Sequence, residues 1–265
     1  MNRANLKTLI VFFVLIAGTF TGLKAQTVTL DYYFNREVHD VNGKPVRWHY
    51  LWDEKEWSGF MIWGELFKKN GAKLDSLNTR PTLANLKGTS VYIIVDPDTR
   101  KESPAPNYIQ EEDASQIAAW VKKGGVLVMM ANDSVNVELP HFNILAGKFG
   151  MHFNSDLQLH VTDDAHFSDG AIDIVNNPVF KTSKRVFLKD VCSISTPANA
   201  EVILKSAKTG ATIAATVKYG KGTVFAVGDP WLYNEYVNGR LPAEYENDKA
   251  ASDLAIWLLQ QTKNK

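Results

Sequence analysis

The stretch VYIIVDPD, residues 91–98, decides the fold class of this chain. Its first five residues are apolar without interruption, which is typical of a strand buried on both faces of a sheet. The run VLVMM at residues 126–130 has the same character. Between them, residues 111–123 begin with acids, end with lysines and precede two glycines, which is a helical pattern. This order predicts a parallel sheet with helices on both faces.

The same kinds of pattern extend the prediction in both directions along the chain. A helix capped by Ser58 and ended by Gly71 lies upstream, and the later segments indicate an antiparallel β extension of the sheet, followed by a closing helix. The predicted strands are 28–34, 73–77, 157–161, 185–188, 202–205 and 211–217, with a hairpin that pairs 212–219 with 223–227, and the further helices are 142–149 and 247–260.

The first 25 residues have the layout of a secretory signal peptide. Arg3 and Lys7 precede an uncharged run that is too short for a membrane span and ends near Ala25. We therefore expect a signal peptide at 1–25, a single mature domain at 26–265, and a periplasmic or secreted protein without a membrane span. A retained anchor is the alternative, and Leu23 leaves the cleavage position open by a few residues.

Charge and cysteine content exclude several classes of function. Without its first 25 residues the chain has three more acidic than basic side chains, so it lacks the positive surface that nucleic acid requires. Cys192 is the only cysteine, which excludes an intrachain disulfide, a cysteine zinc cluster and an iron–sulfur site.

Polar residues follow four of the predicted strands. Carboxyl ends of parallel strands meet at one edge of a sheet, where open α/β sheets bind their ligands. We therefore expect a ligand site at this edge, although each group can equally form turns and helix caps. The groups are Asn35 and Glu37; Asp96 and Asp98; Asn132, Asp133 and Asn136; and Asp229, Trp231, Asn234 and Glu235.

Other side chains offer further candidates, each with an alternative. Trp48, Trp52 and Trp57 crowd one loop and either stack on sugar rings or pack in the core. His141 is the histidine that we retain as a ligand or proton carrier. No histidine spacing of a zinc protease occurs, so no metal site is predicted. No cofactor is expected, and calcium held by the edge carboxylates remains the alternative.

Four stretches resemble a known domain: DYYFN at 31–35, VYIIVDPDT at 91–99, PNYI at 106–109 and YGKGTVFAVGDPWLYNEY at 219–236. They resemble the accessory domain fused to bacterial unsaturated rhamnogalacturonyl hydrolases, and the order of elements resembles the class I glutamine amidotransferase-like superfamily. This resemblance implies a flavodoxin-like three-layer α/β sandwich with a mainly parallel central sheet. The amidotransferase nucleophile is missing, because the corresponding turn reads MANDS at 130–134 without a cysteine.

The resemblance also implies a ligand. We expect an exported, noncatalytic or auxiliary protein that binds plant-wall, pectin-type oligosaccharides beside glycan-degrading enzymes as partners. The alternative is a carbohydrate-active hydrolase or lyase that uses the edge carboxylates. The residues expected to bind the ligand are Asn35, Trp52, Asp96, Asp98, Asn107, Asn132, Asp133, His141, Asp229, Trp231, Asn234 and Glu235.

Overall fold

The computed structural model describes residues 25–55, 58–230 and 239–262. The helices are α1 (Met61–Lys69), α2 (Glu111–Lys122), α3 (Leu139–Gly147) and α4 (Asn247–Gln261), with a 3-10 helix at Asp164–Gly170. The strands are β1 (Thr27–Asp31), β2 (Val38–Val41), β3 (Lys44–Arg47), β4 (Lys73–Leu77), β5 (Val91–Val95), β6 (Val126–Met130), β7 (His152–Phe153), β8 (Ala171–Asp173), β9 (Arg185–Phe187), β10 (Ile194–Ser195), β11 (Glu201–Lys205), β12 (Thr212–Tyr219) and β13 (Gly222–Val227).

A seven-stranded sheet in the order β11-β12-β13-β6-β5-β1-β4 forms the centre of the described chain. Strands β4, β1, β5, β6 and β13 are parallel, whereas β12 runs antiparallel to both β13 and β11. Numbered along the chain, the five parallel strands have the order 2-1-3-4-5 of flavodoxin-like sheets. The predicted α/β class, with a mainly parallel sheet and an antiparallel extension, is therefore confirmed.

Helices cover both faces of this sheet because its central strands are apolar on both sides. All five residues of β5 are 0% exposed. Ile93 packs in the core that includes Trp63 of α1 and Leu254 of α4. Its neighbour Ile94 packs in the other core, with α2 and α3. No helix among the described residues is both long and apolar enough to cross a membrane.

Two predicted helix starts are wrong. Ser58 does not cap α1, which begins after Phe60, and the Ser58 hydroxyl is buried without a hydrogen-bond partner among the described residues. Helix α3 begins at Leu139, before the predicted start. There Glu138 accepts a hydrogen bond from the main-chain N–H of His141, and Pro140 lies in the first turn, where its fixed φ suits a helix.

The strand predictions differ from the structure in several regions. The short strands β7, β8 and β10 were not predicted, and the first strand ends at Asp31 rather than at residue 34. Residues 157–161 contribute only the isolated bridge between Gln158 and Val191, since Leu159 adopts a φ of 51° that interrupts a strand. Strand β9 pairs with β8 rather than with the central sheet. The hairpin β2–β3 was not predicted, although its Asn42-Gly43 turn, with φ of 54° and 78°, is a known hairpin signal.

Candidate functional site

Polar side chains from neighbouring parallel strands meet at the carboxyl edge of the sheet. Asn35 follows β1, Asp96 follows β5, Asn132 follows β6 and Asp229 follows β13. Because these four strands are parallel, the four residues lie at the same edge, and their predicted placement is confirmed. Asp229 is 0% exposed and accepts a hydrogen bond from the main-chain N–H of Lys189 at 3.1 Å.

Three of these residues contact one another at the switch point between β1 and β5, where flavodoxin-like sheets open a crevice. Asn35 Nδ2 donates to the main-chain oxygen of Asp96 at 3.1 Å, and Asn132 Nδ2 donates to Asp96 Oδ2 at 3.0 Å. Asp96 itself has a φ of 45°, a conformation that costs free energy for a residue other than glycine. The contacts hold the ends of β1, β5 and β6 together.

The centre of this network is incompletely hydrogen bonded. Asn35 Oδ1 and Asp96 Oδ1 are buried and have no hydrogen-bond partner among the described residues. Burial, followed by the charge of Glu102, raises the pKa of Asp96 well above its usual range. The hydroxyl of Tyr50 lies beside the Asp96 carboxyl.

A second buried carboxyl lies next to the first. Asp98 is 2% exposed, and both of its oxygens accept from the main-chain N–H of Arg36, at 3.2 and 3.1 Å. Burial, opposed by this hydrogen bond and reinforced by Glu37 and Glu102, raises the pKa of Asp98 to about 7. Glu37 is itself buried, and its Oε1 lies 2.5 Å from His49 Nδ1. The edge therefore carries acids that burial keeps from ionising readily.

A cleft of about 310 Å³ opens beside this network. Tyr32, Tyr33 and Arg36 line it from the residues after β1, Asn78 from the residues after β4, and Val38 and Arg47 from the hairpin. The Arg47 guanidinium lies 4.0 Å from the centre of the Tyr32 ring, a cation–π contact. Its nitrogens donate to Asn78 Oδ1 at 2.7 Å and to the main-chain oxygen of Asn35 at 3.2 Å. Asn35 thus joins the cleft to the buried acids.

Of the next two predicted site residues, only Asn107 contacts a residue that lines the cleft. Asn107 lies close to the cleft, since its Nδ2 donates to the Tyr33 main-chain oxygen at 2.9 Å. Asp133 accepts from the main-chain N–H of Val135 and from Asn136 Nδ2, both at 2.8 Å, which is a turn.

His141 and Trp52 both make contacts within the protein that fix the positions of their side chains. The His141 ring stacks on that of Tyr108, with ring centres 4.5 Å apart. Its Nδ1 lies within hydrogen-bond distance of Glu138 Oε1, at 2.9 Å. Trp52 packs against Phe60, Trp63 and Phe67 beside α1, and its indole nitrogen donates to the main-chain oxygen of Asp75. Its role is core packing. Trp57, Trp231, Asn234 and Glu235 lie outside the described residues.

Among residues 25–55, 58–230 and 239–262, no group of three or more histidine, cysteine, aspartate or glutamate side chains is arranged to hold an ion. The carboxylates considered for calcium instead make hydrogen bonds to protein groups, as Asp98 does with Arg36 and Asp133 does with Val135.

Most of the residues that line the cleft were not predicted as site residues from the sequence. Arg36 stands in the polar group after the first predicted strand, but Arg47 is placed by the unpredicted hairpin β2–β3. The Asn42-Gly43 turn was the signal that could have revealed this hairpin. No comparable signal brings Asn78 to the same cleft, because that contact depends on the pairing of β1 with β4.

Comparisons with known proteins address the family and the fold. A family described as "Domain of unknown function (DUF4350)" matches residues 53–239. The mmIFT52 N-terminal domain superposes with a TM-score of 0.64 at 15% identity, covering 88% of this chain and 97% of its own. Cytoplasmic Protein STM1381 from Salmonella typhimurium LT2 gives 0.51 at 13% identity, covering 77% and 87%. A β-galactosidase from Rahnella sp. R3 gives 0.50 at 14% identity, covering 83% of this chain but 33% of the enzyme. No curated protein matches the sequence.

These findings overturn the resemblance inferred from the sequence. The family match is to DUF4350, and neither the amidotransferase-like superfamily nor the accessory domain of rhamnogalacturonyl hydrolases is supported. Two of the stretches that suggested it contain the strands β5 and β13, and unrelated families with a flavodoxin-like sheet have such strands too. At these identities the solved structures establish the fold alone.

Proposed function

We propose that this chain, which belongs to the DUF4350 family, is a noncatalytic protein that binds an oligosaccharide at the carboxyl edge of its sheet. The observation that carries this proposal is the cleft, which combines the rings of Tyr32 and Tyr33 with the donors of Arg36, Arg47 and Asn78. Aromatic faces with a few fixed polar groups are the usual lining of a small-molecule site.

The buried state of the edge carboxylates supports binding rather than cleavage. A catalytic acid or base has to reach the bond that it breaks. Asp96, Asp98 and Asp229 are each at most 3% exposed. Both oxygens of Asp98 are also occupied by the Arg36 N–H. In this arrangement Asp98 anchors the main chain of Arg36, a residue that lines the cleft.

Tyr33→Ala is expected to weaken sugar binding at least about tenfold, because it removes an aromatic face worth roughly 1.4 kcal/mol or more. Calorimetric titration against a panel of neutral and pectin-type acidic oligosaccharides measures the effect. Tyr219→Ala is the matched control, since Tyr219 ends β12 at the opposite edge of the sheet. Equal affinities of the wild type and the Tyr33 variant would contradict the proposed cleft.

A hydrolase or lyase is the second candidate, and one observation favours it. Burial raises the pKa of Asp98 to about 7, a value suited to a general acid at neutral pH. Product analysis of the same oligosaccharides separates the two candidates. Cleavage by the wild type that Asp98→Asn abolishes would establish the enzyme, whereas unchanged oligosaccharides support a binding protein.

We also propose that the protein works in the periplasm or outside the cell. The support is the signal-like pattern of residues 1–25, which lies outside the residues that the structure describes. Intact-mass analysis of protein purified from a secreting bacterial host is expected to give a chain that begins near Gln26. A mass that retains residues 1–25 would overturn export with cleavage.

A further inference from the structure

The cleft at the carboxyl edge contains two guanidinium groups and no acid in its lining. Within the described part of the chain, neither Arg36 nor Arg47 forms an ion pair with a carboxylate at 4.0 Å or less. We propose that the pair is a subsite for the carboxylate of a uronic acid residue, so that the ligand is an acidic oligosaccharide; this inference rests on the proposed function.

Arg47 is already oriented for such a role. Its side chain is held by the ring of Tyr32, by Asn78 Oδ1 and by the main-chain oxygen of Asn35. These contacts fix the plane of the guanidinium before any ligand arrives, so little conformational entropy is lost on binding. Each terminal nitrogen of the guanidinium has two N–H groups, and only one on each is used by Asn78 and Asn35. The unused donors match the paired oxygens of a carboxylate.

Arg36 supplies the second positive charge. Its side chain is exposed, while its main chain is anchored through the N–H that Asp98 accepts. Burial lowers the pKa of Arg47, and the charge of Arg36 lowers it further, so the two cations lie close enough to repel each other. An anion between them would relieve this repulsion. Asp31 and Asp98 act in the opposite sense on Arg47, but both are buried carboxyls outside the cleft lining.

The hydrophobic and aromatic part of the lining distinguishes a sugar acid from a bare anion. Tyr33 and Val38 line the same cleft as the arginines. A simple ion would leave these surfaces in water, whereas a uronate residue can place its ring against them and its carboxylate at the guanidinium groups. The same arrangement offsets the acids of the edge, which would otherwise repel a negatively charged ligand.

The test compares trigalacturonate with its fully methyl-esterified form, which keeps the sugar and removes the charge. Calorimetry on the purified protein is expected to give at least about tenfold tighter binding of the acid. Arg36→Gln and Arg47→Gln should each remove this preference, because each costs the acid more affinity than it costs the ester. Arg100→Gln is the control, because Arg100 is also exposed but lies outside the cleft lining and contacts Tyr108.

Each outcome separates the two proposals. Equal binding of the acid and the ester, or a preference that survives both substitutions, overturns the carboxylate subsite and leaves the binding function standing. Failure of the wild type to bind either sugar overturns both. If Arg47→Gln unfolds, as its thermal melt would reveal, Arg36→Gln decides alone, because its exposed side chain can be changed without disturbing the packing.

Discussion

Gly228→Ala is expected to prevent folding or to lower the free energy of unfolding by at least about 3 kcal/mol. A Cβ at this position would lie 1.8 Å from the main-chain oxygen of Cys192 and 2.7 Å from Val191 Cγ1. Neither segment can withdraw easily, because the Gly228 N–H donates to the main-chain oxygen of Ile213 and the Cys192 N–H donates to the main-chain oxygen of Gly228. The close approach therefore requires a residue without a side chain.

Gly88→Ala provides the matched control for this prediction. A Cβ at Gly88 meets no atom within 4 Å, and its backbone is not in the left-handed region. The control should change the free energy of unfolding by no more than about 0.5 kcal/mol. Urea unfolding followed by circular dichroism measures both variants. Wild-type stability of the Gly228 variant would contradict the packing at the end of β13, and with it the placement of Asp229 at the site.

Stability is expected to fall as the pH rises from 5 to 8, by at least roughly 2 kcal/mol in the free energy of unfolding, because the pKa values of Asp31, Asp96 and Asp98 are all raised in the folded protein. Burial raises the pKa of Asp98 to about 7 and that of Asp31 to about 6, although the Tyr92 hydrogen bond opposes the latter shift. Unfolded carboxyl groups ionise near pH 4. The folded protein thus holds protons that the unfolded chain releases, and this contribution, complete at low pH, is lost as the pH passes each folded-state pKa.

Asp98→Asn tests the origin of this effect. The amide keeps an acceptor oxygen for the Arg36 N–H but cannot ionise, so the fall in stability between pH 5 and 8 should become shallower. Asp53→Asn, at an exposed carboxyl of the neighbouring loop, should follow the wild-type slope. The pKa values of Asp163, Asp169 and Glu246 are lowered, so the ionisation of these groups changes the stability only below pH 5. Wild-type stability that is constant or rises from pH 5 to 8 would contradict the burial of these acids.

The local sequence determined most of the secondary structure and the edge of the sheet that carries polar groups. Strands β5 and β6 were predicted because an uninterrupted apolar run can be buried only between two layers. Helix α2 was predicted because acids begin it, lysine ends it and its apolar residues share one face. Once these strands are parallel, the residues after them have to meet at one edge.

Only the tertiary structure decided which of those polar groups form a site. Burial and hydrogen bonding depend on neighbours that are distant in sequence, such as Asn132 for Asp96. The same dependence makes Trp52 a core residue, because α1 covers its ring. It also creates the cleft, since Arg47 reaches Asn78 only when a hairpin folds over the paired ends of β1 and β4. A residue pattern determines which face of a helix or strand is buried. A binding site depends in addition on how elements that are distant in sequence pack against each other.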